Sequence, residues 1–154
     1  MTKPTLNRKV QCWIFSRAAG PLIPAGERCL LLKTNDARGA FWQPVTGTVE
    51  DDEGYFEAAC REPLEETGFE FDGPPVDSGF EFDFTSRFGP ARERIYALTV
   101  GNVPTPKLDP REHQGFQWLR PDEAIKLLRF PSNVDGLKMT YKLVFGRELG
   151  EDPG

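Results

Sequence analysis

The chain is poor in cysteine, has one histidine and lacks any long apolar run. Its three cysteines, Cys12, Cys29 and Cys60, are an odd number with no C-x-x-C pair. Each stands in an apolar context, so they read as buried free thiols in a reducing compartment. The one histidine, His113, reads as a surface or polar-network residue rather than a base. No stretch approaches the ~20 apolar residues of a membrane span, and the N-terminal MTKPTLNRKVQCWIF holds no apolar signal core. A soluble, cytoplasmic protein is expected. A basic excess is lacking too, with net charge −5 and pI about 5.0. That balance argues against nucleic acid or a membrane surface as partner, but leaves room for an anionic small molecule that arrives with metal ions. Repeats, low-complexity tracts and internal linkers are also missing. The 154 residues fit one domain over 1–154, with loose ends at about 1–8 and 150–154, large enough to bury a core without disulfides. A monomer or homodimer is expected.

What the chain does have is a concentration of carboxylates. The run from Gly47 to Phe69, GTVEDDEGYFEAACREPLEETGF, places Glu62, Glu65 and Glu66 within five residues. On a helix these positions, i, i+3 and i+4, share one face. Like charges held that close repel, and one tends to keep its proton unless a cation neutralises the group. A hard divalent ion with oxygen ligands meets that need; the alternative is a solvated acidic face. Phe56, Ala59, Cys60, Pro63 and Thr67 fall on a neighbouring arc expected to pack on the core, with small Ala58 leaving the acidic stripe open. Arg61 is four residues from both Glu57 and Glu65 and is placed to pair with either. Gly47 lets backbone approach a ligand closely, Gly68 reads as the helix stop, and Glu53 as a residue that orients the preceding loop.

These residues resemble the Nudix box, G-x5-E-x7-R-E-U-x-E-E-x-G-U with U a bulky apolar residue. Gly47, Glu53, Arg61, Glu62, Glu65, Glu66 and Gly68 fill its fixed positions, and Phe69 fills the last U. One position departs: the first U is Pro63, and proline inside a helix loses a hydrogen bond and costs about 3 kcal/mol, so a kink or loosened turn is expected there. The resemblance implies an α+β fold, a mixed α/β sandwich with a mixed sheet between helices. It also implies Mg2+-dependent hydrolysis of phosphoric anhydrides, with Mn2+ as a substitute. In that pattern Glu62, Glu65 and Glu66 are metal ligands, joined by the Gly47 carbonyl. Either Glu62 or Glu66 takes a proton from the attacking water. Arg61 holds the glutamates in register, and Glu53 lies behind them or touches a metal. Glu112, just before His113 and the segment GFQWL, corresponds to a loop glutamate that faces the metals in several members; otherwise it is an exposed loop acid.

The segment Phe41-Trp42-Gln43-Pro44-Val45-Thr46-Gly47 is similar to the branch of the family that hydrolyses dATP and dihydroneopterin triphosphate. Trp42 and Gln43 are therefore candidates for substrate contact, with Lys33 and Arg94 as basic residues for the phosphates. The leading reading is a pyrophosphohydrolase that releases a monophosphate and pyrophosphate from a nucleoside or pterin triphosphate. Its rivals are a hydrolase of dinucleoside polyphosphates or RNA 5′ ends, and a catalytically silent ligand-binding module.

Along the chain, strands are expected at Lys9–Ser16, Arg28–Lys33 (too apolar for an edge), Val76–Phe84 with Phe80, Phe82 and Phe84 on one face, Ile95–Val100 and Gly115–Leu119. Loops are expected at Arg17–Gly26, Asn35–Gly39, Arg87–Arg94 and Pro104–Arg111. A short extended piece is expected at Phe69–Phe71. Helices are expected at about Tyr55–Thr67, Pro121–Phe130 and Val134–Leu149.

Overall fold

The computed structural model describes residues 6–17 and 26–150. The expected loose ends at 1–5 and 151–154, and the expected loop apart from its end residues Arg17 and Gly26, lie outside them. Seven strands form one mixed sheet: β1 (Asn7–Ser16), β2 (Arg28–Thr34), β3 (Trp42–Gln43), β4 (Val45–Thr48), β5 (Val76–Ser86), β6 (Gly89–Val100) and β7 (His113–Leu119). The path runs β3-β2-β1-β6-β5, with β4 added to β1 and β7 to β2. β1 is central. It runs parallel to β6 from Asn7↔Ala91 to Ser16↔Val100, and antiparallel to β4 through Val10↔Gly47 and Cys12↔Val45. The expected loose lead therefore ends earlier, with Asn7 and Arg8 already paired in the sheet.

Alternation along the strands divides the core in two. Val10, Cys12, Ile14, Leu30, Leu32, Tyr96 and Leu98 face α1 (Tyr55–Thr67). Trp13, Phe15, Cys29, Leu31, Ile95 and Ala97 face α3 (Pro131–Phe145), which contributes Leu137 and Tyr141. The result is the sandwich expected from the sequence. Among the described residues no helix is long and apolar enough to cross a membrane.

Several local expectations are corrected. The strands β5 and β6 extend to Ser86↔Gly89, which reduces the expected polar turn to Arg87-Phe88. The arginines that suggested a turn are strand residues with cross-strand acids: Arg92 Nε donates to Asp83 at 2.7 Å and Arg94 Nη1 to Glu81 at 2.9 Å. The expected helix at Pro121–Phe130 is a four-residue α2 (Pro121–Ala124) followed by a 3-10 turn at Ile125–Leu127. Pro131 requires an extended residue before it, and Phe130 adopts φ −102°, ψ 133°. Pro131 then opens α3 at N1, three residues earlier than expected, and Gly146 closes it at φ 76°. Phe69–Phe71 forms no strand, although Phe69 is buried and stacks on Trp118. Cys12 and Cys29 are buried as expected, whereas Cys60 is exposed.

Candidate active site

The helix α1 spans the expected residues, and its helical run is unbroken at Pro63. Gly54 opens it, and Gly68, at φ 73°, donates its N–H to the Leu64 carbonyl at 2.8 Å and ends it. Its buried residues are Ala58, Ala59, Pro63 and Thr67, while Phe56 is 49% exposed and Cys60 lies in solvent. The core-facing arc is thus rotated toward the glutamates relative to the expected one. The small side chains at Ala58 and Ala59 let the helix sit close to the sheet, which draws Glu62 and Glu66 inward and leaves Glu65 outside.

Gly47 makes room for this. A Cβ at that position would collide with the Glu62 carboxylate, so a glycine is what lets the carboxylate lie against the strand. Arg61 is the hub. Its Nε and Nη2 donate to both oxygens of Glu53 at 2.7 and 2.8 Å. Its Nη1 donates to Glu62 at 2.9 Å and Glu65 at 3.1 Å, and Nη2 also donates to the Thr48 carbonyl at 3.0 Å. Glu57, the other expected partner, instead accepts from the Gly54 N–H at the helix start. Glu53 also accepts from the Glu50 N–H at 3.1 Å, which closes the loop before the helix. The fork with Arg61 holds the Glu53 carboxyl down at about 2.

The inner carboxyls behave oppositely. Burial pushes Glu66 up to about 9, aided by the charges of Glu62 and Glu112. Burial also raises Glu62, against the pull of Arg61. Glu66 Oε2 is buried without a hydrogen-bond partner among the described residues. Glu112 pairs with Arg38 at 3.8 Å, and its negative charge adds to the upward push on both inner glutamates. The neighbouring His113 is buried, which lowers its pKa, and its Nε2 also lacks a partner among the described residues.

Among the described residues no three acidic, His or Cys side chains converge into a ready-made metal cage. Arg61 Nη1 donates to both Glu62 and Glu65 and supplies positive charge that they share. The donor set nevertheless suits a hard divalent ion: all are oxygens, one is buried and unpaired, and the Gly47 backbone approaches without a side chain in the way.

On the α3 side of the sheet lies a cavity of about 460 Å3. Phe82, Phe84 and Phe130 give it aromatic walls, and Lys9, Gln43, Thr46, Glu93 and Asn133 line it with polar groups. Thr46 and Gly47 are consecutive in β4 and point to opposite faces, so the cavity and the glutamates flank the same short strand. Of the residues singled out for substrate contact, the structure brings Gln43 to the cavity wall. Lys33 sits with its Nζ 5.8 Å from the Trp42 ring centre, and neither lines the cavity. Arg94 is engaged by Asp77 and Glu81 on the other face. Sequence reasoning missed Glu93 and Asn133. The signal for Glu93 was present: it stands in the inward alternation Ala91, Glu93, Ile95, Ala97, where an acid is out of place.

A mixed sheet between helices thus carries an arginine-tied glutamate helix on one side and an aromatic cavity on the other, and both adjoin the short strand β4. The NUDIX domain family model matches residues 15–141, and the chain belongs to the Nudix family, hydrolases of phosphoric anhydrides. It is 34% identical over 103 residues to the asymmetrical bis(5′-nucleosyl)-tetraphosphatase of Rattus norvegicus, covering 66% of this chain and 69% of that protein. It is also 34% identical over 118 residues to an octanoyltransferase of Myxococcus xanthus; this covers 75% of the chain but only 31% of that longer protein. The structure of the E. coli dihydroneopterin triphosphate pyrophosphohydrolase superposes with a TM-score of 0.70 at 22% identity, covering 91% of this chain and 96% of that one.

Proposed function

We propose that the protein is a Mg2+-dependent pyrophosphohydrolase that splits a nucleoside or pterin triphosphate into monophosphate and pyrophosphate. The observation that carries this is the buried, unpaired Glu66 oxygen on the same helix face as Glu62, whose own carboxylate lies against the Gly47 backbone. Such an arrangement is costly unless a cation completes it. Glu62, Glu65 and Glu66 would hold the ion, with the Gly47 carbonyl as a further oxygen donor. When bound, the ion neutralises phosphate charge and polarises the phosphoryl oxygens.

The chain's own residues supply the rest. Water adds to a phosphorus and the bridging P–O bond breaks, so pyrophosphate leaves with the bridging electron pair. Glu62 or Glu66 accepts the proton of the attacking water, and Glu112 faces the same cluster. Arg61, fixed by the Glu53 fork, keeps Glu62 and Glu65 in register. The cavity seats the heterocycle against its aromatic walls. The phosphate chain passes the edge of β4, which pairs only with β1 among the described strands.

A second reading, hydrolysis of dinucleoside tetraphosphates, is favoured by the identity to the Rattus norvegicus tetraphosphatase. A product-resolved assay with Mg2+ or chelator separates the two. Monophosphate plus pyrophosphate from a triphosphate supports the first. Selective cleavage of a dinucleoside tetraphosphate supports the second. Turnover unaffected by chelator overturns both.

A further inference from the structure

The cavity holds a chain of hydrogen bonds whose polarity is fixed from one end. The indole of Trp13 is donor-only, and it donates to Gln11 Oε1 at 2.7 Å. Gln11 must therefore turn its amide N–H outward, and Nε2 donates to Glu93 Oε2 at 2.8 Å. All three residues are buried. The arrangement is locked from behind, because a Cβ on Gly136 of α3 would collide with the Gln11 Oε1. Glu93 is thus set as an acceptor. Gln11 uses one of its acceptor positions, others remain free of it, and Glu93 itself lines the cavity. Burial raises the Glu93 carboxyl, while the Gln11 donor and the charge of Lys9, its register partner on β1, favour the charged acceptor. Asn133, only 5% exposed, lines the same cavity from the start of α3. The cavity therefore offers a carboxylate acceptor, with donors from Lys9 and Asn133 nearby, between aromatic walls.

We propose that Glu93 selects the base, and that the preferred base presents a ring N–H beside an amino group, with a carbonyl next to them, as guanine and pterin do. Two adjacent donors match a carboxylate, and the carbonyl matches Lys9 or Asn133. Adenine presents one donor beside an acceptor nitrogen, which a carboxylate repels. Hypoxanthine keeps the ring N–H and the carbonyl but lacks the amino group. This inference rests on the proposed function in taking the cavity as the seat of the heterocycle.

The test is equilibrium binding of GMP, IMP, AMP and dihydroneopterin monophosphate to the full chain, run beside hydrolysis of the corresponding triphosphates with Mg2+. GMP or the pterin is expected to bind about tenfold or more tighter than IMP and AMP, and the stronger of the two identifies the source of the edge. In Glu93→Gln, the new side-chain oxygen can accept from Gln11 and turn its amino group to the cavity. The GMP-to-IMP ratio should then fall to one or below, with a melting temperature close to the parent showing that the fold is kept. If Glu93→Gln does not fold, the parent's ratios decide alone. Equal binding of GMP and IMP, tightest binding of AMP, or no binding of any of the four overturns the inference. Base-selective binding without hydrolysis would uphold it while the proposed reaction fails.

Discussion

Two regions of this molecule join arginines to carboxylates, and they do so with opposite results. On the β5–β6 hairpin, Arg92 grips Asp83 through both oxygens at 2.7 and 3.0 Å, and Arg94 holds Asp77 and Glu81 at 2.8 and 2.9 Å. The Arg92 fork keeps Asp83 below its ordinary range. Burial works against Asp77, but its bonds from Arg94 and the Gly79 N–H hold it low as well. Every acid on that face of the hairpin is served. At the α1 cluster the acids outnumber the arginines and go deeper. Arg61 satisfies Glu53 and reaches Glu62 and Glu65, yet Glu62 is raised by burial and Glu66 is raised to about 9 with one oxygen unpaired. Ion pairs alone do not mark a site. The mark is a surplus of buried carboxylate that the protein leaves for something else to neutralise.

The largest expected effect breaks or sustains this contrast directly. Glu66→Gln and Asp83→Asn each remove one negative charge with little change of shape. Glu66→Gln should cut turnover by orders of magnitude while circular dichroism shows an intact fold. Asp83→Asn should leave kcat/KM unchanged. Comparable losses in both would remove the distinction between the two networks.

Next in size is the pH dependence of stability, where the two regions should slope in opposite directions. Glu66 has a folded pKa of about 9 against an ordinary value of 4.5. The folded chain therefore keeps a proton that the unfolded chain releases. That contribution is fully present below about 4.5 and is lost as pH rises toward 9. Asp77 and Asp83, lowered from 3.8, give stability that is present above that value and is lost in more acidic solution. Without divalent ions the melting temperature should fall between weakly acidic and alkaline pH. Mg2+ should restore it most at the alkaline end, where Glu66 is charged. Glu66→Gln should flatten the metal-free slope, and an unchanged slope would show that Glu66 does not carry it.

Smaller effects should follow from the supports of the cluster. Arg61→Lys keeps the charge but loses the planar fork that joins Glu53 to Glu62 and Glu65. The Mg2+ concentration for half-maximal turnover should rise about 10–100-fold, the range for losing an orienting partner. Gly47→Ala forces a methyl into the Glu62 carboxylate. It should cost about 1–3 kcal/mol in denaturant unfolding, as overpacking does, and should lower kcat as Glu62 is displaced. A Gly47→Ala variant with parent-like kinetics would show that Glu62 tolerates movement.

Much of this was legible in the sequence because it is local. The bounds of α1, its Gly68 stop and the grouping of the glutamates follow from spacing along one helix. The two-sided core follows from alternation in segments such as Lys9–Ser16 and Ile95–Val100. What was missed depends on partners distant in sequence. Arg92 and Arg94 looked like a polar turn because their acids, Asp77, Glu81 and Asp83, become neighbours only when the hairpin closes. The rotation of α1 that exposes Phe56 and Cys60 depends on how closely Ala58 and Ala59 approach the sheet. Glu93 and Asn133 line one cavity from β6 and the start of α3, and the Trp13–Gln11–Glu93 relay joins two strands parallel in the sheet. Helical and strand periods place side chains on faces, but they do not say which faces will close around one cavity.

The smallest expected effects lie on the hairpin, where Arg94 and Arg92 can be ranked against each other. Arg94 is 26% exposed and serves two acids, one on each side of the register shift between Asp77 and Glu81. Arg92 is 39% exposed and grips mainly Asp83. Exposed pairs contribute little, since solvent screens them and ordering the long side chains offsets the gain. Arg94→Gln should therefore lower the melting temperature slightly, Arg92→Gln less, and neither should change kcat or KM. The decisive quantity is KM in Arg94→Gln. The sequence alone suggested Arg94 as a phosphate ligand, but the structure commits its guanidinium to Asp77 and Glu81 on the face away from the cavity. A clear rise in KM with stability unchanged would mean that those ion pairs open to admit substrate, and that the hairpin network belongs to the site after all.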